Sequence, residues 1–384
     1  MVLSLYGGLL AFDLYLSISR HPAAMYLSWT DLKDGTDLRR KWEVVSDFRK
    51  SGARAQLSLP PNHLRKPLIG KNLKPLIPLG GVSNIWTVLC NETGQYVNYL
   101  SDEKGFNNPL GLFRGNADII ALGDSFTQGV CPAPKHHMIS LIRQKYPFTV
   151  NLGMVANGPL INLAALKEYG PALKPKVVLW FHFPGNDFDN LDHELTSALK
   201  RRYLVDGFSQ DLVRRQREID ELLGRFLDAG IKKQESRKVP RAKRLVLTRS
   251  QKAIGAILLR SFRQWALWTY FKKPKPSAGN FVQFRKIMEM AKRIVSAWNG
   301  KLVFVYLPQV KIEHYGAEIK GQNNRVKGIV KLQGFDYLDA EAEMAKRGDV
   351  RRLFYRPDSH YNEEGNRLIA GFVLQHLSLK YLKP

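Results

Sequence analysis

Cysteine is almost absent. Cys90 and Cys131 are the only two in 384 residues. That is too few for a disulfide framework, and they have no metal-ligand spacing, so they read as unpaired packing thiols. Long apolar runs are missing as well. The N-terminal stretch Val2–Phe12 carries no charge, but it is only eleven residues long before Asp13 interrupts it. About 20 are needed to cross a bilayer. No Lys or Arg precedes it and no clear small-residue cleavage site follows. It reads as a packed or interfacial helix, or as the remnant of a membrane anchor whose true start lies upstream. The compartment is then the cell envelope or a membrane surface if that segment anchors the chain, and the cytoplasm otherwise. Glycine and proline are ordinary, at 30 and 20, which excludes collagen-like and low-complexity chains. Acidic residues are scarce: 34 Asp and Glu against 59 Lys and Arg leave a net charge of +25.

What is present is apolar enough to fold. Hydrophobic residues make up 44% and aromatics 11%, which excludes a mostly disordered chain. The basic excess suits a polyanionic partner: nucleic acid, acidic lipid or anionic polysaccharide. It is concentrated in residues 201–280, where 20 Lys and Arg face 7 Asp and Glu. No zinc-finger, RNA-recognition or basic-zipper pattern accompanies it, so specific nucleic-acid recognition is not expected.

The first 110 residues read as an N-terminal extension. A helical stretch (KWEVVSDFRKSG) precedes a short apolar segment (AQLSL), a proline-rich loop, and a β-hairpin over Asn84–Asp102 turning at Asn91–Gly94. Beyond Gly115 the texture changes. Short apolar runs at Asp118–Leu122, Phe148–Leu152, Val177–Phe183, Leu302–Leu307 and Gly334–Leu338 alternate with helical patterns at Leu163–Tyr169, Phe281–Trp298 and Asn362–Leu377. Buried strands alternating with helices predict an α/β fold, a parallel sheet with helices on both faces. About 118 residues separate the third run from the fourth, too many for a structureless loop. Their helical content (Leu191–Leu204, Leu212–Leu227, Lys252–Phe271) makes them an inserted basic subdomain at about 191–276, interrupting a catalytic domain of residues 111–384. Lys252–Phe271 mixes Trp265 and Trp268 with Arg260 and Arg263. It reads either as an amphipathic helix packed on the body or as a surface for acidic lipid or glycan.

Four segments carry candidate chemistry. Gly123-Asp124-Ser125 follows the first run and puts a serine hydroxyl at the carboxyl edge of the sheet, where open α/β sheets hold their active sites. The helix start there offers N–H groups to an oxyanion, or Asp124 and Ser125 simply cap it. Gly185-Asn186-Asp187 follows the third run, where the Asn186 amide can point into a site or serve a turn. Asn151-Leu152-Gly153 leads to Ala156-Asn157-Gly158. Finally, Asp358-Ser359-His360 precedes the last helix, with an acid two residues from a histidine to fix its tautomer. His136 and His137 read as surface residues, and His182 as a satisfied core histidine.

In this order, GDSFTQG, NLG…NGP, GND and DSHYNEEG resemble the sequence blocks of the SGNH (GDSL-type) hydrolase superfamily, over roughly 117–190 and 300–380. The resemblance implies a three-layer α/β/α, flavodoxin-like fold and ester hydrolysis or acyl transfer, with no metal or organic cofactor. It makes Ser125 the nucleophile, His360 the general base and Asp358 the acid that orients it. The Ser125 N–H, the Ala156 N–H (or that of Gly158) and the Asn186 side chain would form the oxyanion hole. Two departures stand out. Alanine occupies the second-block glycine position, and Asp358-x-His360 is one residue shorter than the common Asp-x-x-His. The shorter spacing resembles alginate-type polysaccharide O-acetyltransferases.

Three functions are therefore open. The first is a serine esterase acting on O-acyl groups, O-acetyl in particular, with carbohydrate esters among the candidate substrates. The second is a polysaccharide O-acyltransferase using the same residues. The third is a non-catalytic binder of anionic polymers on a hydrolase scaffold, with the basic stretch as its contact to lipid or glycan.

Overall fold

The computed structural model describes residues 36–64, 66–70, 74–236, 278–309, 316–356 and 359–382. The apolar N-terminal segment, the aromatic and basic stretch Lys252–Phe271, and Asp358 lie outside the described residues. Among the described residues, no helix is long and apolar enough to cross a membrane.

Residues 36–110 form a helix α1 (Lys41–Lys50), strands β1 (Ala55–Leu57), β2 (Leu68–Ile69) and β3 (Pro75–Leu76), and the hairpin β4 (Trp86–Cys90) and β5 (Val97–Leu100). β4 runs parallel to β1 and antiparallel to β5, and its register with β5 shifts between Val88 and Cys90. This small sheet packs Val44, Val45, Ala55 and Val88 in a cluster of their own.

The main sheet is built from β6 (Ile119–Leu122), β7 (Thr149–Asn151), β8 (Val177–His182), β9 (Lys301–Tyr306) and β10 (Asp336–Asp339), all parallel. Numbered along the chain, the spatial order is 2-1-3-4-5, the flavodoxin-like arrangement. The strands read as continuous apolar runs because both faces are covered. Ile120, Leu122, Val178, Trp180 and Phe304 point to one core; Ile119, Ala121, Val177, Leu179 and Val303 point to the other. The first core is closed by α4 (Pro159–Leu173), α5 (Asp187–Leu195) and α8 (Ala278–Ser296). The second is closed by α3 (Met138–Lys145), α10 (Ala340–Ala345) and α11 (Glu363–Lys380). A short helix α2 (Ser125–Gln128) follows β6, α6 (Ala198–Arg201) follows α5, and α9 (Gly316–Leu332) connects β9 to β10.

The described part of the stretch read as an insertion ends in α7 (Gln216–Ser236), an amphipathic helix that reaches back to the N-terminal sheet. Its Ile231 joins the cluster of Val44, Val45 and Val88. Asp228 receives Gln56 Nε2 at 2.7 Å, and Asp220 receives the Ser83 N–H at 2.8 Å.

One expectation is overturned here. Cys90 and Cys131 are not unpaired thiols; they form a disulfide that joins the end of β4 to the loop after α2. Their distance in sequence hid the pair, because only the packing of the N-terminal hairpin against the nucleophile loop brings them together. Cross-links of this kind contribute roughly 2–4 kcal/mol to stability, mainly by restricting the unfolded chain.

Candidate active site

Three strand ends converge. β6 runs out at Leu122 into Gly123, where no side chain fits: a Cβ there would lie 2.1 Å from Thr127 Oγ1 and 3.2 Å from Phe181 Cβ. Asp124 then caps α2, its Oδ1 accepting the Phe126 N–H at 3.0 Å. The cap sets Ser125 at the first helical position, 5% exposed. With only four residues, α2 has little dipole, so what it offers a negative charge is its free first N–H rather than a macrodipole.

His360 arrives on the strap before α11. The strap is pinned by the Tyr355 N–H to the His360 carbonyl at 3.1 Å and by the Asn362 N–H to the Leu353 carbonyl at 2.8 Å. Asn362 caps α11 through the Gly365 N–H at 3.0 Å. The ring lies against Phe126, with centroids 4.8 Å apart. Its Nε2 stands 2.8 Å from Ser125 Oγ.

The acid facing the other ring nitrogen is Glu92, from the turn between β4 and β5. Its Oε1 and Oε2 lie 2.9 and 3.0 Å from His360 Nδ1, and Oε2 also accepts the His360 backbone N–H at 3.2 Å. A carboxylate only accepts, so Nδ1 carries the proton and Nε2 presents its lone pair to the serine. Burial pushes the Glu92 carboxyl up. The nearby His360, its ring and backbone hydrogen bonds, and Arg356 outweigh that and hold it below the ordinary carboxylate value. Arg356 Nη2 donates to the Glu92 carbonyl at 3.0 Å, tying the turn to the histidine strap. The sequence reading assigned this place to Asp358, which lies outside the described residues, and missed Glu92 altogether.

The remaining predicted residues are arranged around this line. Ala156 adopts a left-handed backbone, φ 59°, the conformation in which its methyl group is disfavoured. The Val155 N–H donates to Gln128 Oε1 at 2.8 Å and the Met154 N–H to the Gly123 carbonyl at 3.3 Å, so this turn is fastened to the nucleophile segment. The alternative donor, the Gly158 N–H, is already engaged by Glu194 Oε1 at 2.5 Å. Of the two candidates only Ala156 remains for an oxyanion. Asn62 from the N-terminal region holds this turn from behind. Its Nδ2 donates to the Ala156 carbonyl at 3.1 Å and its Oδ1 accepts from Lys200 Nζ at 2.9 Å. Sequence gives no hint of Asn62 or Glu194, since neither sits in a motif.

Asn186 precedes α5 beside the Asp124 carboxyl, and its buried side-chain oxygen has no hydrogen-bond partner among the described residues. Asp124 itself is pushed up to about 7 by burial and by Asp187, against the Phe126 N–H, His360 and Asn186. Two histidines complete the surroundings. His182 is fully buried, as expected, but it is not satisfied: Nε2 has no hydrogen-bond partner among the described residues, and Nδ1, 2.8 Å from Asp187 Oδ2, is out of line for one. Burial pushes it down to about 3. His137, read from sequence as a surface residue, is only 2% exposed. Its Nε2 contacts the Phe126 carbonyl at 3.1 Å, and it fills the space left by the absent side chain of Gly129.

The flavodoxin-like strand order thus carries a Gly-Asp-Ser turn after its first strand and a serine–histidine–carboxylate line at the carboxyl edge of the sheet. No protein-family model and no curated protein matches the sequence. Solved structures to which it is similar include three hydrolases. The first is a lipase/acylhydrolase from Enterococcus faecalis, at 11% identity over 70% of this chain and 98% of that one, TM-score 0.38. The second is a putative lipolytic protein of the G-D-S-L family from Desulfitobacterium hafniense, at 14% identity over 68% and 99%, TM-score 0.34. The third is a catalytic mutant of an acetylxylan esterase from Geobacillus stearothermophilus, at 10% identity over 70% and 98%, TM-score 0.37. Likenesses this distant add nothing to the argument from the chain's own site.

Proposed function

We propose that the protein is a serine esterase that hydrolyses short O-acyl esters, O-acetyl groups on a carbohydrate being the substrate class, through an acyl-serine intermediate. The observation that carries this reading is the continuous line from Glu92 through His360 to Ser125, with contacts of 2.9 and 2.8 Å. Nε2 of His360 takes the Ser125 proton as Oγ attacks the ester carbonyl. The oxyanion is received by the N–H groups of Ser125 and Ala156 and by the Asn186 side-chain amide. Collapse breaks the ester C–O bond, and the alcohol leaves with the proton held on Nε2. Water, deprotonated by His360, then attacks the acyl-serine and releases the acid and the free serine.

The test is labelling with a fluorophosphonate serine probe, followed by peptide mass analysis. Wild-type chain is expected to carry the label on Ser125 and to release free acid from p-nitrophenyl acetate. A folded chain that neither labels nor hydrolyses would be a binder on a hydrolase scaffold. Labelling with acyl transferred to an added sugar, in place of free acid, would make it an acyltransferase.

The oxyanion role of Asn186 has its own signature. Asn186→Ala should lower kcat by about 10²–10³-fold, equivalent to roughly 2.7–4 kcal/mol, with KM little changed. An effect confined to KM would make Asn186 a substrate-binding or turn residue instead.

A further inference from the structure

Glu92 lies two residues beyond Cys90, and Cys131 lies two residues beyond Gly129, the residue that ends the nucleophile helix. The disulfide therefore joins the turn that carries the acid to the segment that carries the serine. We propose that the Cys90–Cys131 bond is a positioning element for catalysis: it holds the Glu92 carboxylate against His360, and opening it lowers turnover. The inference rests on the serine-esterase reading above.

The hairpin does not hold Glu92 in place by itself. The pairing of β4 with β5 shifts register between Val88 and Cys90, and Cys90 with Val97 is its last pair before the turn. On its far side the turn is tied to the N-terminal region, where Asn91 Nδ2 donates to the Asp37 carbonyl at 2.6 Å. Its contacts with the histidine strap run through Arg356 and through the carboxylate, and both are non-covalent. The disulfide is the covalent tie to the serine side. It is buried, with Cys90 5% and Cys131 2% exposed. It packs with Leu89, Tyr99 and Val130, and against Val155, the neighbour of Ala156. The joint that sets the acid thus also abuts the oxyanion turn. Two thiols would fill the same space without fixing the distance. A displacement of about 1 Å in such a constellation can cost on the order of 10²-fold in rate.

The chemistry of opening is simple. A dithiol reductant supplies two electrons and two protons, the disulfide becomes two thiols, and the reductant closes to its own disulfide. Activity should accordingly belong to the oxidised chain, and disulfides persist in oxidising compartments.

The test compares four chains: wild type, Cys90→Ala with Cys131→Ala, Glu92→Gln, and the combination of all three substitutions. Removing the disulfide should lower kcat for p-nitrophenyl acetate by on the order of 10²-fold, with KM unchanged. In the Glu92→Gln background it should cost little further, because the group it positions is already gone. Reduction of wild type with dithiothreitol, verified by alkylation, should reproduce the loss. A double cysteine variant that keeps its kcat while wild type labels at Ser125 overturns this inference alone. So does an equal loss in both backgrounds, which is also what general unfolding would give. A wild-type chain that neither labels nor hydrolyses overturns the esterase reading together with it.

Discussion

Ser125→Ala should lower kcat for a p-nitrophenyl ester by about 10⁶-fold, leaving circular dichroism unchanged. The substitution removes one oxygen, and that oxygen is what His360 Nε2 faces at 2.8 Å. The local fold does not depend on it. The Gly123 turn is held by close packing and the α2 cap by Asp124 accepting from Phe126, neither of which involves the hydroxyl. The hydroxyl's other contact, with Asp124 Oδ2 at 3.4 Å, is long enough to be weak. His360→Ala should fall as far, and the double variant no further, because nucleophile and base act as one unit. The residual rate would come from the oxyanion donors alone. Wild-type turnover in a well-folded Ser125→Ala chain would remove Ser125 from the mechanism.

How much of this was legible in sequence follows from the range of each interaction. The five strands of the main sheet are visible because burial on both faces leaves unbroken apolar runs, and each resolves within a residue or two of its run. Ser125, Ala156 and Asn186 stand at strand ends and helix starts, where local chemistry marks them. His360 is marked by the helix it precedes. Glu92 has no such mark: it is a turn residue in a hairpin, 268 positions from the histidine it touches. Asp358 is close to His360 in sequence, and proximity along the chain is the signal that sequence reading follows. Glu92 was within reach only through the cysteines. A cysteine two residues before a turn carboxylate and another just after the nucleophile helix carry a spatial restraint, but only once they are read as bonded. His137 was misjudged for a related reason. Its neighbours Lys135 and His136 are polar, while the space it fills belongs to Gly129, eight residues earlier.

The second large effect separates the two acids. Glu92→Gln should lower kcat by about 10⁴-fold with KM unchanged, and Asp358→Asn should leave kcat near wild type. The carboxylate can only accept, so it fixes the proton of His360 on Nδ1 and stabilises the imidazolium that forms when Ser125 attacks. A glutamine can turn its amide N–H toward Nδ1. The ring then carries its proton on Nε2, facing the serine, where it cannot act as a base. The same substitution has a stability signature whose sign is fixed. The Glu92 carboxyl is held below its ordinary value in the folded chain. Its contribution is therefore present above the unfolded carboxylate pKa and lost as pH falls through the folded one. The Tm of wild type should exceed that of Glu92→Gln at neutral pH, and the gap should close as the solution is taken below the carboxylate range. A residue that served the fold alone would show the Tm gap without the selective loss of kcat. An active Glu92→Gln chain beside an inactive Asp358→Asn chain would return the orienting role to Asp358 and leave Glu92 a structural partner of the histidine strap.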